Sequence, residues 1–196
     1  MKKFIVTSLY SQGSQAAVQG GHASDELSLK MKKEDSSLSE MYWDWSENFK
    51  TYVYLEVGSP KEILALEQWI SENQETLGVP SAHFKEEALN DSVTACSFVA
   101  PKKLCENIQY NVKNLLTKMK ENGLKKFEFD DESFEFFKKE FSGSWEDVAG
   151  YYPVHFVLEE NKIKVLVYAE ETMCLGSYTP VEFNFFLKVR FLRLAK

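Results

Sequence analysis

The chain has 196 residues, 23 basic and 30 acidic, and a net charge of −7. That length allows one domain or two small ones, and 44% hydrophobic with 27% charged residues excludes wholesale disorder. A pI near 5.1 excludes a generally basic nucleic-acid coat and leaves room for a local basic patch.

The run 4–9 is short, apolar and rich in β-formers, so it reads as a buried strand. After it, Ala16, Ala17, Gly20, Ala23 and Leu27 follow at helical spacing, with Ser14 as the expected N-cap. Small residues let such a helix lie close on a sheet. Residues 30–47 are polar, with Met41, Tyr42, Trp43 and Trp45 set among them, and read as a loop or short helix. Residues 51–57 form a second strand. Ser59, Pro60 and Glu62 then start a helix as cap, first-turn proline and capping-box partner. Its buried face is Ile63, Leu66, Trp69 and Ile70, and it ends before Gly78. Residues 81–85 and 93–99 read as two more strands joined by a polar turn. The expected fold class is α/β: a β-α-β-α-β-β mixed sheet with packed helices over residues 1–105.

Composition changes after Pro101. Residues 106–196 hold 11 of the 15 phenylalanines and are expected to form a separate, Phe-rich C-terminal α+β domain. Helices are expected over 108–119 and 130–141, a loop over 142–150, a hairpin from 154–158 and 162–168, and a long strand over 181–194.

Cys96, Cys105 and Cys174 are odd in number and widely spaced, so no disulfide framework is expected and a reducing cytoplasm is the simplest compartment. No C-x-x-C occurs and histidine is limited to His22, His83 and His155, so no metal site is expected. The apolar run 4–6 is too short for a signal-peptide core, and no stretch approaches the roughly 18 apolar residues of a membrane helix. The expectation is a soluble chain that makes no membrane contact.

The stretch 11–24 joins a strand to a helix through small and polar residues, where helix-terminal amides can hold an anion. Gln15, Gln19 and His22 share one face of that helix. Gln12-Gly13-Ser14-Gln15-Ala16-Ala17-Val18-Gln19-Gly20-Gly21-His22-Ala23 resembles the lysine-bearing turn and the Ala-Ala-Gln-x-x-His-Ala signature of the type II peptidyl-tRNA hydrolases, with Gln19-x-x-His22-Ala23 matching in spacing and identity. The Ser59–Glu62 helix start, the Gly78-Val79-Pro80 turn, Lys85-Glu86, and Ser92, Thr94 and Ala95 before Pro101 are similar to later parts of that family in the same order. The resemblance covers about residues 1–105.

What the resemblance implies is hydrolysis of the ester between a peptide and the terminal ribose of tRNA, without a metal or organic cofactor. The implied catalytic site is Gln15, Gln19, His22, Glu86, Ser92 and Thr94. Glu86 would orient water, Ser92 or Thr94 would donate to the developing oxyanion, and Gln15 or Gln19 would polarise the carbonyl. The family's phosphate-holding lysines are replaced, with Gly13 and Gln15 in their turn. A diverged or weak hydrolase is therefore expected, and the alternative is a catalytically inactive binding module for an RNA end or a protein partner.

Lys113, Lys118, Lys120, Lys125 and Lys126 make residues 106–126 locally basic, and Arg190 and Arg193 add to this near the C-terminus. Brought together they would hold an RNA backbone. Trp43 and Trp45 would stack a base or cover one end of the sheet. The Phe-rich half offers a surface for a protein partner or a homodimer.

Overall fold

The computed structural model describes residues 1–8, 11, 13–105, 145–149, 152–159, 162–168, 172–190 and 193–194. The fold is mixed α/β. The chain divides into two compact units: Met1–Glu106 with Leu192–Lys196, and Asn107–Phe191.

The first unit is built on a five-stranded sheet in the order β3-β4-β1-β2-β9. Its strands are β1 (Lys2–Ser8), β2 (Tyr52–Val57), β3 (Ser81–Glu86), β4 (Ser92–Ala100) and β9 (Arg193–Leu194). β1 and β2 are parallel, and the other pairs are antiparallel. The parallel pair requires a crossover, which α1 (Ser14–Lys33) and α2 (Ser37–Asp44) supply. Gly20 of α1 lies so close to the sheet that a Cβ there would sit 2.6 Å from Ile5 Cγ2. Ile5 and Lys3 therefore mark the α1 face. Helix α3 (Pro60–Glu72) covers the other face, where Glu67 bonds to Ser81 and His83 of β3.

The capping box at Ser59 forms as expected, with Pro60 in the first turn, and the short α4 (Gln74–Leu77) ends on left-handed Gly78. Two local expectations change, and at residues 30–47 the helical alternative holds. Helix α1 starts at Ser14 itself, with Gly13 at the cap position (φ 57°) and no side-chain cap. A glycine reaches that φ without strain, so the helix can begin one residue early. Residues 30–47 are largely helical: α1 runs to Lys33, Ser36 caps α2, and a π-helical turn, Trp45–Phe49, follows. Leu27, Met31, Leu38, Tyr42, Trp45 and Val99 bury one another there, which outweighs the polar composition. Trp45 is buried and Trp43 is exposed, so the two do not form a pair.

In the second unit, β5 (Trp145–Ala149), β6 (Tyr152–Glu159), β7 (Lys162–Tyr168) and β8 (Thr172–Tyr178) form an antiparallel meander. The expected hairpin is its β6–β7 pair. The expected loop over 142–150 contains strand β5 instead, held by its pairing with β6. The expected strand over 181–194 is helix α5 (Pro180–Arg190), followed by the two-residue β9. The cause is local. Thr179 N donates to Glu182 Oε2 at 2.9 Å, and Glu182 N donates to Thr179 Oγ1 at 3.2 Å, a second capping box with proline in the first turn. The helices expected over 108–119 and 130–141 lie outside the described residues. No helix among the described residues is long and apolar enough to cross a membrane.

Candidate functional site

A cleft of about 690 Å³ opens in the first unit where β1 ends and α1 and α3 begin. A crevice beyond the carboxyl ends of parallel strands is where open α/β sheets usually bind ligands. Five of the six residues of the implied site line it: Gln15, Gln19, Glu86, Ser92 and Thr94.

Their convergence has a local cause. Gln15 and Gln19 stand one turn apart on α1. Glu86 ends β3, and its partner Ser92 begins β4. Between β3 and β4 the register slips: Phe84 pairs with Ala95, and Lys85 pairs with Val93. Thr94 is the extra residue of a β-bulge. A bulge re-aims a side chain that strict alternation would send to the opposite face. Thr94 thus meets α1, and with only 4% of its surface exposed it donates from Oγ1 to Gln19 Oε1 at 2.5 Å. Gln19 Nε2 in turn donates to Glu86 Oε2 at 2.9 Å.

The direction of this chain is set by charge. A carboxylate can only accept, so the Gln19 amide must turn its NH₂ toward Glu86. Its carbonyl then faces Thr94 and takes the hydroxyl proton. Thr94 and Glu86 consequently present acceptors to the cleft. Thr94 therefore does not fit the oxyanion-donor role that the resemblance implies for it, whereas Ser92 and Gln15 have donors to offer.

His22 stands apart. It is exposed and stacks on Phe84, ring centroids 4.6 Å apart, and it does not line the cleft. Sequence reasoning passed over Ser8, Ser11 and Asn90, which also line the cleft. Ser8 is only 2% exposed. The signal available for it was its place near the end of the apolar run 4–9, just ahead of the small and polar stretch 11–24. Asn90 and Asp91 take left-handed backbone (φ 55° and 56°) in the turn between β3 and β4, which brings Asn90 to the cleft rim.

The lining holds one carboxylate, five hydroxyls, three side-chain amides and, among the described residues, no lysine or arginine. The start of α1, which no side chain among the described residues caps, adds partial positive charge from its first-turn amides beside Ser14 and Gln15. Helix amides and one or two hydroxyls can receive a carbonyl oxygen, while the Glu86 side receives donors. Among the described residues no group of His, Cys, Asp and Glu could hold a metal ion.

The other polar clusters are internal supports. Glu67, buried on α3, accepts from Ser81 Oγ at 3.0 Å and bonds His83 Nδ1 at 2.8 Å. Cys96 is fully buried, and burial pushes its thiol far up, which makes it an inert core residue. Lys113, Lys118, Lys120, Lys125 and Lys126 lie outside the described residues. Arg190 ends helix α5 and Arg193 belongs to β9 opposite Glu56, so the single strand expected to carry both does not form. No family model matches the chain, and no curated protein matches it.

Proposed function

We propose that the cleft hydrolyses an acyl ester on the terminal ribose of an RNA, as a diverged relative of the type II peptidyl-tRNA hydrolases. The observation that carries the reading is the directed chain Thr94 to Gln19 to Glu86 along the cleft wall. A water bound there donates one proton to Glu86 and one to Thr94 Oγ1, which leaves its lone pair directed outward. It attacks the ester carbonyl carbon, and its proton passes to Glu86. Ser92, Gln15 and the start of α1 stabilise the developing oxyanion. The bond to the ribose oxygen breaks, the proton returns to that oxygen, and the acid leaves as a carboxylate with release of one proton. The RNA side of the reading rests on the sequence resemblance over residues 1–105 alone.

The lack of a lysine or arginine among the described lining residues favours a second reading, a binding module for an RNA end or a protein partner that does not turn over. The two separate in one assay. The full chain should release tRNA from aminoacyl-tRNA or N-acyl-aminoacyl-tRNA, and Glu86→Ala should slow this about 100-fold or more. No release at high enzyme concentration rejects hydrolysis.

A further inference from the structure

We infer that Ser8 is a further catalytic residue, whose hydroxyl donates to the ester carbonyl oxygen as that oxygen gains charge; the inference rests on the ester-hydrolysis reading above. Ser8 closes β1, pairs with Val57 at the end of β2, and is 2% exposed. Its carbonyl accepts from Ser11 N at 2.9 Å, but its Oγ has no hydrogen-bond partner among the described residues. The other buried residue in the cleft lining is Thr94, and the Thr94 hydroxyl is bound to Gln19. Ser97 Oγ is buried and unpartnered too, but it is sealed off within the sheet, opposite Ile5. Ser8 instead opens to the cleft. A hydroxyl taken from water without a partner destabilises the fold, so the partner that Ser8 lacks has to come from what the cleft binds.

The surroundings of Ser8 select that partner. The two helices that start at this end of the sheet differ. Helix α3 satisfies its own first turn, because Ser59 Oγ accepts from Glu62 N and Glu62 Oε2 accepts from Ser59 N. Helix α1 has Gly13 at its cap position, which brings no side chain, and its first internal bond runs from Ala17 N to Gly13 O at 3.4 Å. The amides of Ser14, Gln15 and Ala16 therefore precede the helix's own bonding. The turn from Ser8 to Ser11 leads the chain to that start, and Ser8, Ser11, Ser14 and Gln15 line one cleft. A free hydroxyl sharing a cleft with the first turn of a 20-residue helix suits an acceptor oxygen that carries negative charge. On the neighbouring strand, Thr7 pairs with Ala95, so Ser8 stands next to Thr94. Thr94 holds the attacking water in the hydrolysis reading, and the carbonyl under attack lies against that water. Ser8 is thus placed to meet the carbonyl oxygen, and the contact strengthens as the oxyanion forms.

Ser8→Ala in the full chain separates catalysis from structure. Single-turnover release of tRNA from N-acetyl-alanyl-tRNA is measured over a range of enzyme concentrations, alongside denaturant midpoints. The expected result is a rate at saturating enzyme lowered about tenfold or more, half-saturation within about threefold, and a midpoint that does not fall. Ser97→Ala should likewise keep or raise the midpoint, but it should keep the wild-type rate, since Ser97 does not line the cleft. An unchanged saturating rate in Ser8→Ala, even with weaker saturation, overturns the inference and leaves hydrolysis standing. A lowered midpoint, or failure to fold, overturns it as well, because the hydroxyl then serves the fold. If the wild type releases no tRNA, hydrolysis fails and binding decides. N-acetylalanine, whose carboxylate carries the charge of the oxyanion, is then titrated against the full chain by NMR. Binding about tenfold or more weaker in Ser8→Ala supports Ser8 as donor to a charged oxygen, whereas equal binding or none overturns it.

Discussion

Lys3 shows what a single buried charge does in this fold. It is 1% exposed, its Nζ donates to Ser24 Oγ at 2.6 Å, and it lies 5.0 Å from the ring centroids of both Tyr42 and Trp45. Burial lowers its pKa from 10.5 to about 8, against a smaller opposing pull from Asp25. Below pH 8 both folded and unfolded states carry the proton. Between pH 8 and 10 the unfolded state keeps a proton that the folded state has released, so stability rises with pH, by at most about 1.4 kcal/mol per pH unit. Above that window Tyr52, whose pKa burial raises, acts in the other direction. Denaturant midpoints from pH 7 to 10 should climb in the wild type and stay flat in Lys3→Met. At the cleft, Thr94→Val leaves the Gln19 carbonyl without its donor and should cost about 1–2 kcal/mol of stability. The same change should also lower hydrolysis, whereas His22→Ala should leave kcat within about threefold, since His22 touches Phe84 and not the cleft.

Helix α1 makes two neighbouring glycines behave oppositely. A Cβ at Gly20 meets Ile5 Cγ2 at 2.6 Å and Tyr54 Cε1 at 3.3 Å, whereas a Cβ at Gly21 meets nothing within 4 Å. Thermal melts should show Gly20→Ala destabilised by about 1–3 kcal/mol as the helix lifts from β1, and Gly21→Ala stabilised by about 0.5–1 kcal/mol. The same helix shows how far the sequence was legible. The spacing of Gln15 and Gln19 put both on one face, and the structure has both in the cleft. The bulge at Thr94 was not legible, because a register slip depends on pairing with β3 and leaves no mark in strand alternation. Helix α5 was legible and was missed. Thr179-Pro180-Val181-Glu182 has the spacing of Ser59-Pro60-Lys61-Glu62, but the apolar run behind it, Phe183 to Leu194, hides helical periodicity and resembles a buried strand.

For the whole molecule, the uneven phenylalanine content goes with two units of different construction. One is a mixed sheet covered by helices on both faces, and the other an antiparallel meander with one described helix. The cleft belongs entirely to the first, whose residues 1–105 hold 10 lysines, no arginine and 15 acidic residues. On the proposed reading, the described lining therefore supplies no phosphate-binding surface. With an acyl-tRNA as substrate, raising salt from about 50 to 200 mM should leave kcat/KM within roughly twofold, where an enzyme holding many phosphates loses orders of magnitude. Steep salt dependence on that substrate would mean that cations outside the described lining reach the cleft.

The central claim is that water held between Glu86 and Thr94 cleaves an acyl ester on RNA. Single-turnover release of tRNA from alanyl-tRNA, with enzyme in excess, tests it most directly for the wild type, Glu86→Ala and Thr94→Val. The account predicts enzyme-dependent release by the wild type, a loss of about 100-fold or more in Glu86→Ala and a smaller loss in Thr94→Val. Release at the uncatalysed rate in the wild type, or equal release by Glu86→Ala, would contradict it.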